Sequence, residues 1–337
     1  MSKKKVPILP AQTQEVRRSQ RQRLGLLSDQ VLLSKTKSRY QEIFERFKKF
    51  HAWVDSFKIV AWEEFDEDAA QFIEYLWESG APKSDASYAL AAIQFYRPQA
   101  KHHLPWSWKL VKTWNQLELP TRATPLTPEW VMALAGKAFE WRQHSMGWLL
   151  VVGFSLFLRT GELVDLKANQ VSLAARHSSQ SVVYLNQTKT TKRNNLPLER
   201  IIVDEELAHR ALEELLVGLA PGETLSQLSH YQFRRLWHDL IHSLKLTGCG
   251  FAPYSLRRGG ATSAYRAGVP LDALVTKGRW AHLATCRLYL DQGAQALTEF
   301  KLPAASRPAL AAASRKFLSV SQQGTRGMRA TCKRKTQ

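Results

Sequence analysis

Cysteine is nearly absent. Cys249, Cys286 and Cys332 are the only three among 337 residues, and no two form a CxxC pair. Such spacing excludes a disulfide framework and a zinc knuckle, and suits a reducing, intracellular compartment. Long apolar runs are lacking too. The longest, residues 147–158 (GWLLVVGFSLFL), is too short for a bilayer span, which takes about 20 residues, and reads as a buried core helix. The opening MSKKKVPILP holds no apolar run of signal-peptide length. No P-loop, no cluster of carboxylates and no internal repeat is found, so no cofactor is expected. Acids are missing altogether from residues 301–337, which hold nine Lys or Arg.

Hydrophobic residues make up 44% of the chain and there are 11 Trp, enough for a packed core in two domains of ordinary size. The net charge is +19, and its distribution is uneven. Residues 1–25 carry +6 and residues 301–337 carry +9, which leaves +4 for everything between. Basic arms of this kind suit a polyanion partner, most often nucleic acid, or a nuclear address. Each arm taken singly reads equally well as a disordered, solubilising tail.

The pattern along the chain predicts a mainly α fold. Residues 1–28 are polar and aperiodic, and are expected to be disordered. Apolar residues at three- and four-residue spacing (Tyr40, Ile43, Phe44, Phe47, Phe50) predict a first helix from Ser34. Asp66 is placed to cap a second and Ser84 to start a third, and a fourth covers Trp106–Leu117. This helical domain spans 29–118, and Lys101, His102, His103, Lys109 and Lys112 near its end are candidate phosphate contacts. Residues 119–126 hold two prolines and read as a linker. Thr127-Pro128-Glu129 is a strong helix start. A mixed α+β domain then covers 127–300. It has strand-like runs at Gln170–Ala174, Ser181–Asn186 and Leu196–Val203, forming one small antiparallel sheet. Asp204 is placed to cap a further helix, and Tyr231–Leu244 forms another. Residues 301–337 complete the chain as a basic tail.

Chemistry-bearing residues gather in the second domain. Arg159 leaves the apolar segment at a Thr-Gly turn, with Glu162 one helical turn on, where it can reach the guanidinium. The polar loop QTKTTKRNN, between the last two strand-like runs, carries Lys189, Lys192 and Arg193. Arg257 and Arg258 precede a small-residue stretch, Gly259–Thr262, that reads as a turn. A Gly-Arg-Trp turn follows at 278–280, then Tyr289. Arginine forks suit phosphate oxygens, and a tyrosine hydroxyl is a nucleophile once its proton is taken. Singly, each residue has a plainer reading: a surface ion pair for Arg159 and Glu162, solvated lysines, phosphate anchors for Arg257 and Arg258, and core packing for Trp280 and Tyr289.

Together, this order resembles the tyrosine recombinase (phage integrase) superfamily over about residues 30–300. It comprises an Arg with Glu at +3, a hairpin Lys, a second Arg, Gly-x-Trp, and Tyr nine residues after the Trp. The 253–291 stretch is most similar to the Cre-like branch, where Trp stands in place of the usual histidine. The RRGGAT wording also resembles recombinases of eukaryotic mobile elements. The resemblance implies a helical core-binding domain followed by a catalytic domain. It implies Arg159 and Arg257 as the catalytic arginines, with Glu162 as an acidic partner. Lys189 would be the catalytic lysine, with Lys192 its rival, Trp280 the histidine-or-tryptophan position, and Tyr289 the nucleophile. Arg258, Lys192, Arg193, Lys109 and Lys112 would touch DNA. Double-stranded DNA would be the partner, held by a homotetramer on paired sites.

One departure stands out. The family usually has His three residues before the second arginine, and here that residue is Tyr254. A phenol with a pKa near 10 is a poor base at neutral pH, although it donates and accepts hydrogen bonds. A DNA-gripping descendant that no longer cuts is therefore the alternative. His282, two residues past Trp280, is a candidate substitute base.

Overall fold

The computed structural model describes residues 14–24, 26–51, 61–174, 180–185, 199–300 and 302–333. The chain divides into two compact units, Met1–Thr121 and Arg122–Gln337. No helix among the described residues is long and apolar enough to cross a membrane.

The first unit is helical: α1 (Gln14–Leu24), α2 (Ser34–Phe50), α3 (Trp62–Glu78), α4 (Lys83–Tyr96) and α5 (Pro105–Leu117). Helix α1 stands where composition predicts disorder. Its Gln, Arg and Leu are good helix formers, and Glu15 in the first turn with Arg21 and Arg23 in the last complement the helix dipole. Ile43, Phe47, Phe65, Phe72, Leu76, Leu90 and Ile93 form a dry core. Asp66 is not the cap of its own helix, which begins four residues earlier. Instead its buried carboxylate accepts from the backbone N–H groups of Trp106 (2.8 Å) and Ser107 (2.9 Å). Helix α5 begins with Pro and has Leu104 at its N-cap, so its orphan donors take their acceptor from a neighbouring helix. Trp106, Trp108, Lys109 and Lys112 of α5 face outward, while Val111 and Trp114 face the core.

The second unit is built on α6 (Pro128–Glu140) and α7 (His144–Ser155). Thr127 caps α6 as its sequence predicts, accepting from the Trp130 N–H. Helix α7 is apolar on every side and buried almost throughout. After the short α8 (Thr160–Asp165) come β1 (Val171–Ser172), β2 (Ser181–Leu185) and β3 (Glu199–Val203), in the antiparallel order β1-β2-β3. Val182 pairs with Ile202 and Leu185 with Glu199. Five helices follow: α9 (Glu206–Leu216), α10 (His230–Ser243), α11 (Ser255–Arg266), α12 (Leu271–Gly278) and α13 (Leu283–Arg287). Asp204 does not cap α9; it pairs with Lys277 at 3.0 Å.

Two further helices, α14 (Gln292–Phe300) and α15 (Arg307–Lys333), close the unit. The basic C-terminal segment is thus a helix rather than a tail. Its Ala313 and Phe317 are buried against α6, and the Phe317 ring lies parallel to Phe139 with centroids 6.0 Å apart. Gly136 makes the approach possible, since a Cβ there would run into the Ala313 carbonyl.

Gly259 and Gly260 do not form a turn. They lie inside α11, where a Cβ on Gly259 would strike the backbone of Leu126 and one on Gly260 the carbonyl of Phe154. The glycines let α11 sit directly on two backbones. Gly260→Ala is therefore expected to destabilise the domain by about 3 kcal/mol through overpacking, read as a lowered denaturation midpoint with an unchanged slope.

Candidate active site

Helix α11 presents consecutive arginines in two directions. Arg257 is fully buried (0% exposed). It donates from Nη1 to the Phe157 carbonyl and from Nη2 to the Gly278 carbonyl, the latter at 2.5 Å. Those carbonyls belong to the C-terminal ends of α7 and α12, so one guanidinium serves two negative helix termini. Its Nε has no partner among the described residues. Arg258 points elsewhere. It is buried, donates to the Ala123 carbonyl, and pairs with Asp291 at 3.2 Å. In this structure the Arg258 side chain ties Ala123 to Asp291, just after Tyr289.

The Gly278-Arg279-Trp280 turn contributes three different things. Gly278 lacks a Cβ where the Trp280 ring folds back, and its carbonyl serves Arg257. Trp280 lies under the site, 4.8 Å from the Arg257 guanidinium carbon to its ring centroid and 4.7 Å from the Tyr289 ring. Its indole N–H is buried on the Tyr289 side, where it helps to hold that phenol's pKa down. Arg279, which spacing alone did not single out, is buried and bridges two carboxylates. Nη2 donates to Glu162 at 2.5 Å, and Nε lies 3.1 Å from Glu199. The only signal in the sequence was a lone cation between Gly and Trp.

Glu162 is shared. Its Oε1 accepts from Arg159 Nη1 (2.5 Å), and its Oε2 from the Arg159 backbone N–H (2.9 Å) as well as from Arg279. Burial pushes the Glu162 carboxyl up, but the Arg279 and Arg159 charges outweigh it and hold it below the usual range. Burial likewise lowers Arg159, and Glu162 more than restores it. Arg257 has less compensation. Burial, then the neighbouring Arg279 and Arg159 charges, push it down to about 10, still charged at neutral pH. Three cations thus crowd a small volume, a surplus that an anion relieves.

Tyr289 sits against this cluster, its ring centroid 5.2 Å from the Arg257 guanidinium carbon. Thr262 on α11 fastens the segment: its Oγ1 donates to the Tyr289 carbonyl (3.1 Å) and accepts from the Asp291 N–H (3.3 Å). The Tyr289 hydroxyl is hydrogen-bonded to the Tyr254 hydroxyl. The two phenols are driven apart in acidity. Burial, and then the bond to Tyr289 and its charge, push Tyr254 far above an ordinary phenol. Burial also raises Tyr289, but the Tyr254 bond and the Arg257 charge outweigh it and bring it below 10. Either hydroxyl can donate in this bond; once the Tyr289 phenol ionises, Tyr254 is the donor that remains.

The structure brings Arg159, Glu162, Tyr254, Arg257, Trp280 and Tyr289 together. His282 is exposed at the start of α13, with no ring contact to this cluster among the described residues. Lys189, Lys192 and Arg193 lie outside the described residues. Lys109 and Lys112 belong to the first unit. No group of three or more His, Cys, Asp or Glu able to hold a metal occurs among the described residues.

Residues 137–295 match the Phage integrase family. No curated protein sequence matches the chain. Solved structures share the fold. The Tn1549 transposon integrase in complex with transposon right end DNA has TM-score 0.57 at 13% identity, covering 85% of this chain and 98% of that one. A lambda integrase dimer bound to a COC′ core site gives 0.53 at 14%, covering 82% and 94%. The XerH site-specific recombinase bound to palindromic difH substrate, a post-cleavage complex, gives 0.52 at 15%, covering 78% of each. Residues 137–295 of the second unit are thus similar to the Phage integrase family, and the chain shares its fold with these integrase and recombinase structures.

Proposed function

We propose that this protein is a site-specific DNA recombinase that breaks and rejoins strands through a covalent 3′-phosphotyrosyl intermediate. The observation that carries this reading is the Tyr289 phenol set against the buried Arg257 guanidinium and the Trp280 ring, with Arg159 and Arg279 charges close by. The Tyr289 oxygen attacks a DNA phosphorus, and its proton passes to water at the exposed edge of the site. Charge builds on the non-bridging oxygens, where Arg159 and Arg257, already held in place, stabilise it. The Trp280 N–H supplies one more donor. The P–O5′ bond breaks, and the departing 5′ oxygen takes a proton from Lys189. Attack by the 5′ hydroxyl of another strand reverses the step and rejoins the DNA. The phosphotyrosine conserves the bond energy, so the reaction balances without nucleotide hydrolysis.

Outward-facing Trp106 and Trp108 beside Lys109 and Lys112 suit the first unit to gripping duplex DNA. A homotetramer on paired sites completes the reading, and the basic termini suit a nuclear address. A mobile genetic element is the natural source of such an enzyme.

The test is a pool of nicked duplexes of random sequence, in which the strand beyond the nick diffuses away and traps the intermediate. A protein–DNA adduct stable to detergent is expected. No adduct with any duplex overturns the proposal. The second reading, a protein that grips DNA without cutting, is favoured by the protonated Tyr254 at the usual histidine position. It predicts that wild type and Tyr254→His both bind DNA and form no adduct. The recombinase reading predicts an adduct with both.

A further inference from the structure

Arg279 adopts a left-handed backbone, φ +56°, at the C-terminal end of α12. Glycine is the usual occupant of such a cap, because a Cβ is strained there. The chain instead places its largest cation at this point and buries it, with the side chain 5% exposed. Strain retained in this way marks a side chain that is being used.

Its contacts show the use. Nη1 rests on the Lys277 carbonyl at 3.4 Å, Nη2 binds Glu162 Oε2, and Nε faces Glu199, the first residue of β3. With Oε2 occupied by Arg279 and by the Arg159 backbone N–H, Glu162 has only Oε1 left for the Arg159 side chain. Arg159 is held by one nitrogen. Carboxylates and guanidiniums otherwise prefer a two-pronged pair. Freed from Arg279, Glu162 would close such a fork and take up the donors that Arg159 offers to a ligand.

We propose that Arg279 is a positioning residue: it withholds one oxygen of Glu162 so that Arg159 keeps an open donor edge for phosphate, and it anchors the start of β3 to the same carboxylate. This role rests on the strand-breaking reading of the site.

The experiment compares Arg279→Met with wild type on two nicked duplexes, one with an ordinary phosphodiester at the nick-proximal cleavage position and one with a methylphosphonate. The methylphosphonate lacks one of the charged oxygens and so relies less on guanidinium donors. Adduct formation by Arg279→Met is expected to fall about 100-fold on the phosphodiester and less than about 5-fold on the methylphosphonate, with DNA affinity within about 3-fold of wild type. Backbone hydrogen exchange in 199–203 is expected to quicken about 10-fold, with α10 unchanged. Arg279→Lys, which retains one ion pair, covers the case in which the Met variant does not fold, and is expected to show about a tenth of the defect. Parallel loss on both duplexes, or an unchanged 199–203 exchange rate, overturns this role while wild-type adduct leaves the strand-breaking reading standing. Absence of adduct with wild type overturns both.

Discussion

Tyr289→Phe is expected to abolish covalent attachment to DNA. Tyr254→Phe is expected to slow attachment about 100-fold at neutral pH while leaving it on Tyr289. The two hydroxyls share one hydrogen bond, so proximity alone does not say which attacks. Position favours Tyr289, whose ring lies against the Arg257 guanidinium and the Trp280 ring, and the form expected to attack is the phenolate. Removing the Tyr254 hydroxyl deletes a donor that stabilises the Tyr289 anion, so the Tyr289 pKa rises. The defect should then be greatest at low pH and shrink as pH climbs toward 10, with the ascending limb of the rate profile moved to higher pH. Adduct rates between pH 6.5 and 10, with mass spectrometry of the nucleotide-bearing peptide, check both points. An adduct mapped to Tyr254 would reverse the assignment.

Arg257→Met is expected to cost at least about 10³-fold in adduct formation, because it removes charge stabilisation where negative charge develops. Unlike most active-site changes, it should also destabilise the fold. The side chain satisfies the Phe157 and Gly278 carbonyls at two helix ends, and leaving both without a partner costs roughly 3 kcal/mol. Arg257→Lys separates the effects. A single ammonium retains the charge and reaches one carbonyl, so most stability returns while the planar fork does not. Thermal melts alongside adduct rates distinguish the two. Equal stability of Arg257→Met and wild type would contradict the double-ended contact.

Several of these features were legible in one dimension. Thr127-Pro128 announced the start of α6, and the Arg159-to-Glu162 spacing announced their pairing, because both are local. The order of motifs pointed to the site because each residue sits at a fixed step from an element boundary. What stayed hidden was set by neighbours distant in sequence. Asp66 looked like a cap for its own helix and serves α5 instead, about 40 residues away. Gly259 and Gly260 looked like a turn because nothing local reveals a backbone lying on the helix. The pairing of Arg258 with Asp291 was hidden too: adjacent residues on a helix diverge by about 100°, so Arg258 leaves α11 in a different direction from Arg257. The 301–337 stretch looked like a tail because its charge masks the apolar stripe of Ala313 and Phe317. Arg279 carried no sign of its left-handed backbone.

The Thr262 latch has a mechanical corollary. The Arg257 guanidinium is carried on α11, and the Tyr289 phenol, its ring 5.2 Å away, is fastened to the same helix through Thr262. Any tilt of that helix displaces both at once, so the chemistry can be silenced from afar by a single small rotation.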